Sequence, residues 1–490
     1  MGDSPKAIVL GGGVAGLAVS VRLRRLGLHV TLLEKNAHVG GKLNEFKAQG
    51  YRFDIGPSLF TLPHLVDELF TLWGEKASDH FRYFELPEIC NYFFPDGRTL
   101  TTCREAHLLD QRIHETFGEE SGRVRAFLNY AAELWRLTAP LFIEGDYRHL
   151  STLFKNILHI PYSALFRAGF FTTMAQKTRH FFRTTHVQQL FNRYATYNGS
   201  DPYRAPGTLC VIPHVEYGYG AWLPEGGMVA IPRTIEALAR RKGVEIQTGT
   251  LAQAVSQKGK QWQVHTPECT YEADVVVVAI DVATFFTKIF PRPSISKRLI
   301  RQERSSSAFV FNWGIRHTDE RLGVHNIFFS SDYAREFLQL KEGRLPDDPT
   351  VYVFISSKVI PEDAPSGCEN WFVMINAPPN YPTSPEIFQQ AQELVEKKIN
   401  RILGYRPSQL AEVEFHLSPA TLSSLYGTWD GALYGAASNS VLSAFWRPPN
   451  ASRLFPGLFF CGGTVHPGGG IPLCLYSAKL TANAVARYLR

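Results

Sequence analysis

Several features are absent from this sequence of 490 residues, and each absence excludes a class of protein. No run of about 18 consecutive apolar residues occurs, which excludes a transmembrane helix. The seven cysteines are scattered and none forms a Cys-x-x-Cys pair, so we expect free thiols, no disulfide framework and no metal site. The first six residues lack the apolar core of a secretory signal. Together these absences predict a cytoplasmic protein without a bound metal.

Acidic residues are missing from one long stretch, residues 147–200, which carries seven arginines and lysines interleaved with seven phenylalanines. A basic, aromatic and acid-free helical stretch is typical of a segment that lies on an anionic membrane surface. The alternative is a helical cap whose aromatic rings face the protein core. Nucleic acid is disfavoured, because nothing else in the sequence is typical of an RNA-binding module. We expect a peripheral contact with the inner face of the membrane and no nucleic-acid partner.

The composition is that of a folded globular protein, with 44% apolar and 20% charged residues. The chain is longer than a single hydrophobic core usually allows, so two or three domains are expected. The net charge of +6 is too small to indicate a polyanionic partner. The 34 phenylalanines and 20 tyrosines are more than a core usually needs and indicate an aromatic-lined cavity or an apolar contact surface.

The chain begins with a strand-like segment, a glycine-rich turn, a helical segment and a second strand-like segment that ends at Glu34. Gly11, Gly13 and Gly16 have the spacing G-x-G-x-x-G. In a dinucleotide-binding unit the first glycine permits a tight turn, the second lets a pyrophosphate approach the backbone, and the third lets the helix pack on the strand. The acid would accept hydrogen bonds from a ribose diol and repel a 2′-phosphate, which argues against NADP. The motif alone does not distinguish NAD from FAD.

A second pair of glycines, Gly40 and Gly41, follows the second strand directly and is succeeded by Lys42. The glycines offer another place where backbone can contact phosphate, and the lysine offers a counter-charge. These extra contacts favour an extended dinucleotide such as FAD.

Later segments return the chain to the same type of fold. The sequence predicts a helix over 229–242 and a buried strand of a parallel sheet over 273–281. Strand-like stretches at 308–315 and 350–355 and a helix at about 384–403 predict an antiparallel sheet with helices. The last module, residues 457–472, is a strand and glycine-rich turn with Pro472 in the first turn of a terminal helix. That helix end would stabilise the negative charge of a reduced flavin.

Four of these pieces, in order along the chain, resemble the bacterial phytoene desaturase family of FAD-dependent carotenoid oxidoreductases, within the flavin amine-oxidase-like fold. They are residues 11–34, 40–42, 224–228 and 466–479. Residues 214–224 and 466–475 are most similar to the hydroxycarotenoid 3,4-desaturase (methoxyneurosporene dehydrogenase) branch. The fold class implied is α/β, with a Rossmann-like FAD-binding domain, an α+β substrate domain and a helical membrane-contacting segment.

The resemblance implies one set of cofactor-contacting residues, from the adenosine half to the flavin end. They are Gly11, Gly13, Val14, Ala15, Gly16, Glu34, Lys35, Gly40, Gly41, Lys42, Gly56, Pro57, Ser58, Gly463, His466, Gly469, Gly470, Ile471 and Pro472.

The expected domains are interleaved along the chain. The predicted division assigns 1–75, 223–290 and 454–490 to the FAD-binding domain, 76–146, 201–222 and 291–453 to the substrate domain, and 147–200 to the membrane-contacting segment.

The activity implied by the resemblance is desaturation of a linear, lipid-soluble C40 carotenoid, with hydride transfer to flavin N5 and a quinone or O2 as final electron acceptor. Glu216 and His214 are the candidate bases for the proton that leaves with the hydride. Asp54 and His466 are further candidates, and an enzyme without a dedicated base is also consistent with the sequence. The alternatives on the same fold are a phytoene desaturase proper, a carotenoid isomerase, a retinol saturase-like reductase, an amine oxidase, or a prenyl-binding protein without catalytic activity.

Overall fold

The computed structural model describes residues 4–145 and 169–490. Its strands are β1 Lys6–Leu10, β2 His29–Leu33, β3 Glu45–Ala48, β4 Tyr51–Asp54, β5 Tyr83–Glu85, β6 Glu88–Phe93, β7 Thr99–Cys103, β8 Trp222–Pro224, β9 Glu245–Gln247, β10 Ala254–Lys258, β11 Gln261–His265, β12 Thr270–Ala273, β13 Val275–Val278, β14 Ser307–Ile315, β15 His325–Phe328, β16 Val351–Ile355, β17 Glu369–Ala377, β18 Ala411–Leu417 and β19 Leu458–Phe460. Its α-helices are α1 Val14–Arg25, α2 His64–Thr71, α3 Ala106–Phe117, α4 Arg123–Phe142, α5 Met174–Phe181, α6 Thr185–Asn192, α7 Val211–Tyr219, α8 Ala230–Arg241, α9 Val282–Thr284, α10 Pro293–Ile300, α11 Tyr333–Lys341, α12 Pro385–Leu403, α13 Pro419–Tyr426, α14 Val441–Phe445 and α15 Ile471–Tyr488.

A five-stranded parallel sheet, in the order β19-β13-β1-β2-β9, forms the centre of the dinucleotide fold. The four valines of β13 are all buried between β1 and β19, as expected for a strand covered on both faces. Helices α1, α8 and α15 pack together beside this sheet. Three widely separated parts of the chain therefore build one sheet.

The second large sheet has seven strands in the order β18-β14-β17-β16-β15-β6-β7. The prediction of an antiparallel sheet is confirmed for all four pairs formed by the strands β14 to β18, and β15 in addition runs parallel to β6, which lies outside the residues of that prediction. The parallel pair arises because β6 comes from a much earlier part of the chain than the other central strands.

The two faces of the seven-stranded sheet have different partners. Side chains alternate between the faces along each strand, and the outer face, which includes Val353 and Trp371, packs on α12. The opposite face, here called the inner face, carries Tyr92, Val310, Ile327, Phe354 and Phe372 and belongs to the same core as the dinucleotide fold. The inner face is thus the wall that the substrate part presents to the nucleotide part.

The described part of the acid-free stretch, residues 169–200, contains both buried and exposed aromatic side chains. Phe182 and Phe191 are 1% and 0% exposed and stack on each other with ring centroids 4.9 Å apart. The expectation that the aromatic rings of this stretch contact a membrane is wrong for these two residues, because they pack into the core against Phe127 of α4. Phe171, in contrast, is 86% exposed. Residues 147–168, including Phe154 and Phe166, lie outside the described residues.

None of the helices in the described ranges combines the length and the apolar composition that a bilayer crossing needs. The predicted domain division remains a prediction, although the five-stranded and the seven-stranded sheet each take strands from more than one of the predicted segments.

Candidate functional site

The first glycine-rich turn joins β1 to α1. Gly11 has φ +103°, and a Cβ on Gly16 would lie 1.9 Å from the Gly11 carbonyl oxygen. Only glycine at these positions permits the tight turn and the close approach of helix to strand. Gly13 is different, because a Cβ there would meet no atom within 4 Å. The missing side chain at Gly13 therefore leaves open space next to the helix N-terminus.

The second glycine pair is attached directly to the first turn. The Gly40 N–H donates to the Gly12 carbonyl oxygen at 2.8 Å, and Gly13 and Gly40 form a parallel bridge. A Cβ on Gly41 would lie 3.2 Å from the Gly13 Cα. The two turns predicted separately from sequence thus form one continuous backbone surface.

Glu34 closes the first unit beneath that surface. Its carboxylate is buried and accepts the N–H of Gly12 at 2.7 Å and the N–H of Asn36 at 2.9 Å. These two bonds fix the carboxylate beside the turn, where its remaining lone pairs can accept from a ribose diol. Lys35 is directed elsewhere, because its Nζ donates to the Ser424 carbonyl oxygen at 2.7 Å.

The third glycine-rich turn joins β19 to α15. A Cβ on Gly463 would lie 3.2 Å from the Gly469 Cα, and a Cβ on Gly469 would lie 2.7 Å from the Tyr434 ring. Gly470 is the N-cap residue of α15 and has φ +114°, and a Cβ there would meet no atom within 4 Å. Ile471 and Pro472 then begin the helix, as predicted.

Helices α1 and α15 begin in the same way, with glycine caps at Gly13 and Gly470 and no side-chain hydrogen bond to the first turn. Neither first turn contains an acidic residue. Free N–H groups and the positive end of the helix dipole attract an anion or an electron-rich ring edge. Both caps are therefore open and suited to such a group, and the assignment of the first to the pyrophosphate and of the second to the flavin ring stays a prediction.

Lys42 extends from the second glycine pair toward the third turn. Its Nζ donates to the Leu433 carbonyl oxygen, and burial lowers the pKa of its ammonium group, with Cys474 and Asp281 close enough to oppose that shift. The ammonium is therefore near the flavin-end turn, and the predicted role as counter-charge of the pyrophosphate remains a prediction.

The segment Gly56–Ser58 follows β4 and lies against the second glycine turn. A Cβ on Gly56 would be 1.7 Å from the Lys42 carbonyl oxygen, so the two segments are in backbone contact. Pro57 is exposed, whereas Ser58 is buried and its Oγ lies 2.6 Å from the Tyr352 hydroxyl oxygen. The three glycine-rich turns, with Lys42 between them, are here called the cofactor cradle. Ser58 consequently connects this cradle to the inner face of the seven-stranded sheet.

His466 is buried within the third turn. Its Nε2 lies 3.0 Å from the Gly145 carbonyl oxygen, and its own carbonyl oxygen accepts from Asn450 Nδ2 at 2.9 Å and Ser477 Oγ at 2.8 Å. These contacts hold the turn against α15, and they support a structural role rather than that of a base.

Arg447 is a buried residue of this turn that the sequence reasoning missed. Its guanidinium donates to carbonyl oxygens of Tyr434, Ala436 and Gly463, and burial lowers its pKa to about 10. A single arginine in a loop gives no pattern that identifies it in advance. It ties the loop that contains Tyr434 and Ala436 to the third glycine-rich turn.

Asp54, a further candidate base, is also accounted for by structure. The carboxylate is buried, pairs with Arg52 at 2.9 Å and accepts the N–H of Met228 at 3.0 Å. It therefore fixes the start of the segment that leads into α8.

Glu216 and His214 both lie on α7, but two residues apart on a helix means about 200° apart around its axis. The two side chains therefore face different surroundings. The Glu216 carboxylate is buried and accepts hydrogen bonds from the hydroxyls of Tyr194 (2.6 Å) and Tyr197, with an Arg193 nitrogen at 4.0 Å. Its oxygens are thus already engaged by neighbouring side chains.

His214 is half buried between aromatic rings. Its ring centroid lies 5.4 Å from that of Tyr219 and 6.4 Å from that of Trp135. Burial lowers the pKa of the imidazole, so the ring is neutral near pH 7 and able to accept a proton.

A model of the family described as flavin containing amine oxidoreductase matches residues 14–486. The chain belongs to this family. Among solved structures of flavin amine oxidoreductases, putrescine oxidase bound to putrescine has a TM-score of 0.63 at 13% identity, with 98% of this chain and 99% of that chain covered. Cyclohexylamine oxidase from Brevibacterium oxydans IH-35A has a TM-score of 0.60 at 16% identity, with 99% of each chain covered. At these identities the likeness establishes the fold, and the predicted flavin amine-oxidase-like fold class is confirmed.

Curated relatives of this flavin amine oxidoreductase are more similar in sequence. The 1-hydroxycarotenoid 3,4-desaturase of Flavobacterium sp. (strain P99-3) is 40% identical over 488 residues, which cover 98% of this chain and 99% of that protein. The 4,4'-diapolycopene oxygenase of Methylomonas sp is 30% identical over 496 residues, which cover 100% and 99%. The resemblance to the carotenoid desaturase family is confirmed. The protein is an oxidoreductase and its cofactor is FAD, as the glycine-rich turns predicted.

Proposed function

We propose that the protein is an FAD-dependent desaturase that introduces a C=C bond into a linear C40 carotenoid, with 3,4-desaturation of a 1-hydroxycarotenoid as its reaction. The observation that carries the proposal is the full-length similarity to a 1-hydroxycarotenoid 3,4-desaturase at 40% identity. When bound, FAD supplies the hydride acceptor at N5 of its ring.

The chain's own contribution begins with the inner face of the seven-stranded sheet. Val310, Ile327, Phe354 and Phe372 form an apolar wall in the core shared with the dinucleotide fold. Such a wall holds a polyene by burial of apolar surface and excludes water from the reacting carbons. Orientation of the bound polyene is then the main catalytic effect of the protein.

Of the two bases proposed from sequence, His214 is favoured over Glu216 by the geometry. The Glu216 oxygens accept from two tyrosine hydroxyls, whereas the His214 ring is neutral and has no hydrogen bond within the described residues. A desaturase without a dedicated base is the alternative, because the carbon-bound proton is lost next to a conjugated system.

The proposal is tested with FAD-loaded enzyme in liposomes that contain phytoene, neurosporene or a 1-hydroxycarotenoid. Without an oxidant, the expected substrate bleaches the flavin absorbance and yields a product that is lighter by two hydrogens. A product of unchanged mass identifies an isomerase, and flavin bleaching by amines alone identifies an amine oxidase. Addition of O2 or of a quinone to the bleached enzyme identifies the electron acceptor by the rate at which the flavin absorbance returns.

We also propose that the protein takes its substrate from the inner face of the membrane as a peripheral protein. The support is the basic, acid-free composition of residues 147–200 together with the exposure of Phe171 (86%) in its described part. Sedimentation with anionic vesicles tests it, with Phe171→Ser as the variant and Leu338→Ser, another exposed apolar position, as the control. Weaker binding of the first variant alone supports the proposal, and equal binding of both contradicts it.

A further inference from the structure

A small polar cluster interrupts the apolar inner face of the seven-stranded sheet where β15 and β16 meet. His325 begins β15 and pairs in register with Phe354 of β16, so its side chain is on the inner face. His325 is 5% exposed, and its Nδ1 lies 2.8 Å from the Tyr352 hydroxyl oxygen. That hydroxyl is in turn 2.6 Å from Ser58 Oγ. Three residues from separate parts of the chain thus form one hydrogen-bonded row.

The other ring nitrogen of His325 is the unusual atom of this row. Nε2 is buried, and no hydrogen-bond partner for it exists within the described residues. Buried polar groups almost always have a partner, from the protein, from ordered water or from a ligand. The position of Nε2 on the wall proposed to hold the polyene makes a ligand group the natural partner.

The charge state of the ring limits the chemistry of that partner. Burial, assisted by the nearby positive charge of Arg193, lowers the pKa of His325 to about 3. The imidazole is therefore neutral at physiological pH, and Nε2 offers either one N–H or one lone pair, depending on the direction of the hydrogen bond to Tyr352. A hydroxyl group satisfies Nε2 in both cases because it donates and accepts, whereas a carboxylate or an ammonium ion gains no ion pair there.

The hydrogen-bonded row connects His325 to the cofactor cradle. Ser58 belongs to the segment whose Gly56 is in backbone contact with Lys42 of the cofactor cradle. His325 Nε2 is therefore separated from the cradle by only two hydrogen bonds, His325–Tyr352 and Tyr352–Ser58. A hydroxyl held at Nε2 is thereby connected to the cradle through Tyr352 and Ser58, which is the arrangement expected if the carbons to be oxidised are only a few bonds away from it.

We propose that His325 binds the terminal hydroxyl of the substrate through Nε2 and so selects a carotenoid that is hydroxylated close to the bond being desaturated. This inference rests on the proposed function and names the residue that sets its end-group specificity. Tyr352 and Ser58 act as positioning residues, since they fix the ring and its tautomer from the side of Nδ1.

The experiment compares a 1-hydroxycarotenoid with the same carotenoid lacking the hydroxyl, on full-length FAD-loaded enzyme. His325→Leu removes both ring nitrogens, and His325→Gln restores a polar group near the position of Nε2. His416→Leu is the matched control, because His416 lies on β18 of the same sheet but packs against Phe311 and Phe388 on the outer face. Melting temperature and flavin content are measured for every variant, to verify that it folds.

We expect His325→Leu to lower the ratio of kcat/KM for the hydroxylated over the hydroxyl-free substrate by about tenfold or more, through loss on the hydroxylated substrate alone. We expect His325→Gln to recover part of this ratio and His416→Leu to leave it unchanged. Equal losses on both substrates, or an unchanged ratio, overturn the inference and assign Nε2 to a structural water.

A binding measurement separates failure of this inference from failure of the proposed function. Dissociation constants of the two carotenoids are measured from the change in their absorption on binding, which requires no turnover. If wild-type enzyme binds the hydroxylated carotenoid more tightly and His325→Leu abolishes the difference, the inference stands even when neither carotenoid is desaturated. If wild-type enzyme desaturates both carotenoids equally well and binds them equally, the desaturase proposal stands and the role of His325 is overturned.

Discussion

Gly13 and Gly40 form a parallel bridge that joins the first and second glycine-rich turns into a single backbone surface. The bridge explains why two glycine motifs that are separate in sequence act together. It also allows the functions of individual glycines to be distinguished by substitution.

Gly13→Ala is expected to fold normally and to lose affinity for FAD. A Cβ at Gly13 meets no protein atom within 4 Å and φ is −69°, so the free energy of unfolding is expected to change by about 1 kcal/mol or less. The methyl group would occupy the space where the pyrophosphate approaches the helix end. Titration of apoprotein with FAD measures the loss.

Gly16→Ala is the contrasting variant. Its Cβ would be placed 1.9 Å from the Gly11 carbonyl oxygen, which forces α1 away from β1. We expect destabilisation of about 1–3 kcal/mol or failure to fold, measured by urea denaturation of the apoprotein. Equal stabilities of the two variants would contradict this division of roles.

Glu216→Gln is expected to destabilise the protein without a large effect on the chemical step. The substitution removes the negative charge that faces the buried Arg193 at 4.0 Å, which costs about 3 kcal/mol by analogy with other buried pairs. We expect kcat of the folded, FAD-loaded variant to stay within about tenfold of wild type, because removal of a true general base lowers the rate by about 100-fold or more. Steady-state turnover measures kcat, and single-turnover flavin bleaching measures the chemical step by itself. A loss of that larger size at unchanged stability would restore Glu216 as the base.

Acidification is expected to destabilise the protein partly through His325. The folded-state pKa of about 3 lies below the ordinary value of 6.5, so between these values the unfolded chain binds a proton that the folded protein does not. The contribution of His325 to the free energy of unfolding is therefore fully present above about pH 6.5. It falls by up to about 1.4 kcal/mol per pH unit as the pH is lowered toward 3.

The contribution of His325 to acid destabilisation is measured by comparing the melting temperatures of wild type and His325→Gln between pH 4.5 and 7.5. The variant is expected to lose less stability than wild type as the pH falls. Parallel curves would show that His325 does not remain neutral in the folded protein.

Asp363→Ala is expected to be strongly destabilising. Asp363 is buried and its carboxylate accepts from Arg52 Nε at 2.5 Å, which links β4 to the region after β16. Its loss leaves Arg52 with Asp54 at 2.9 Å and Glu45 at 3.9 Å as acidic partners and costs about 3 kcal/mol. Glu362→Ala, the exposed neighbour, serves as control and should change stability by about 0.5 kcal/mol or less. Chemical denaturation of both variants provides the comparison.

The cofactor cradle could be predicted from the sequence because its signals are local. The spacing of Gly11, Gly13 and Gly16, and the adjacent pair Gly40 and Gly41, each specify a turn whose backbone requirement is read within a few residues. The strands and helices around them are similarly marked by apolar periodicity, and the helix predicted at 384–403 is observed as Pro385–Leu403.

The polar cluster on the inner face could not be predicted in the same way. Ser58, His325 and Tyr352 come from three distant segments, and only the register of β15 against β16 and the turn after β4 bring them together. The parallel pairing of β15 with β6 could not be predicted for the same reason, since β6 lies far earlier in the chain. Phe182 and Phe191 show that a local signal can also mislead. The composition of their stretch is typical of a segment on a membrane surface, but tertiary packing places both rings in the core.

The five-stranded sheet has a consequence for how the protein is made. Strand β1 pairs with β13, and β13 pairs on its other side with β19, Leu458–Phe460, which is synthesised about 180 residues after β13 (from 278 to 458). During a large part of translation, the apolar strands β1 and β13 therefore each have one edge without its partner strand. Until β19 has been synthesised, one edge of β13 is open to non-native pairing, so we expect slow folding and a risk of aggregation during that interval.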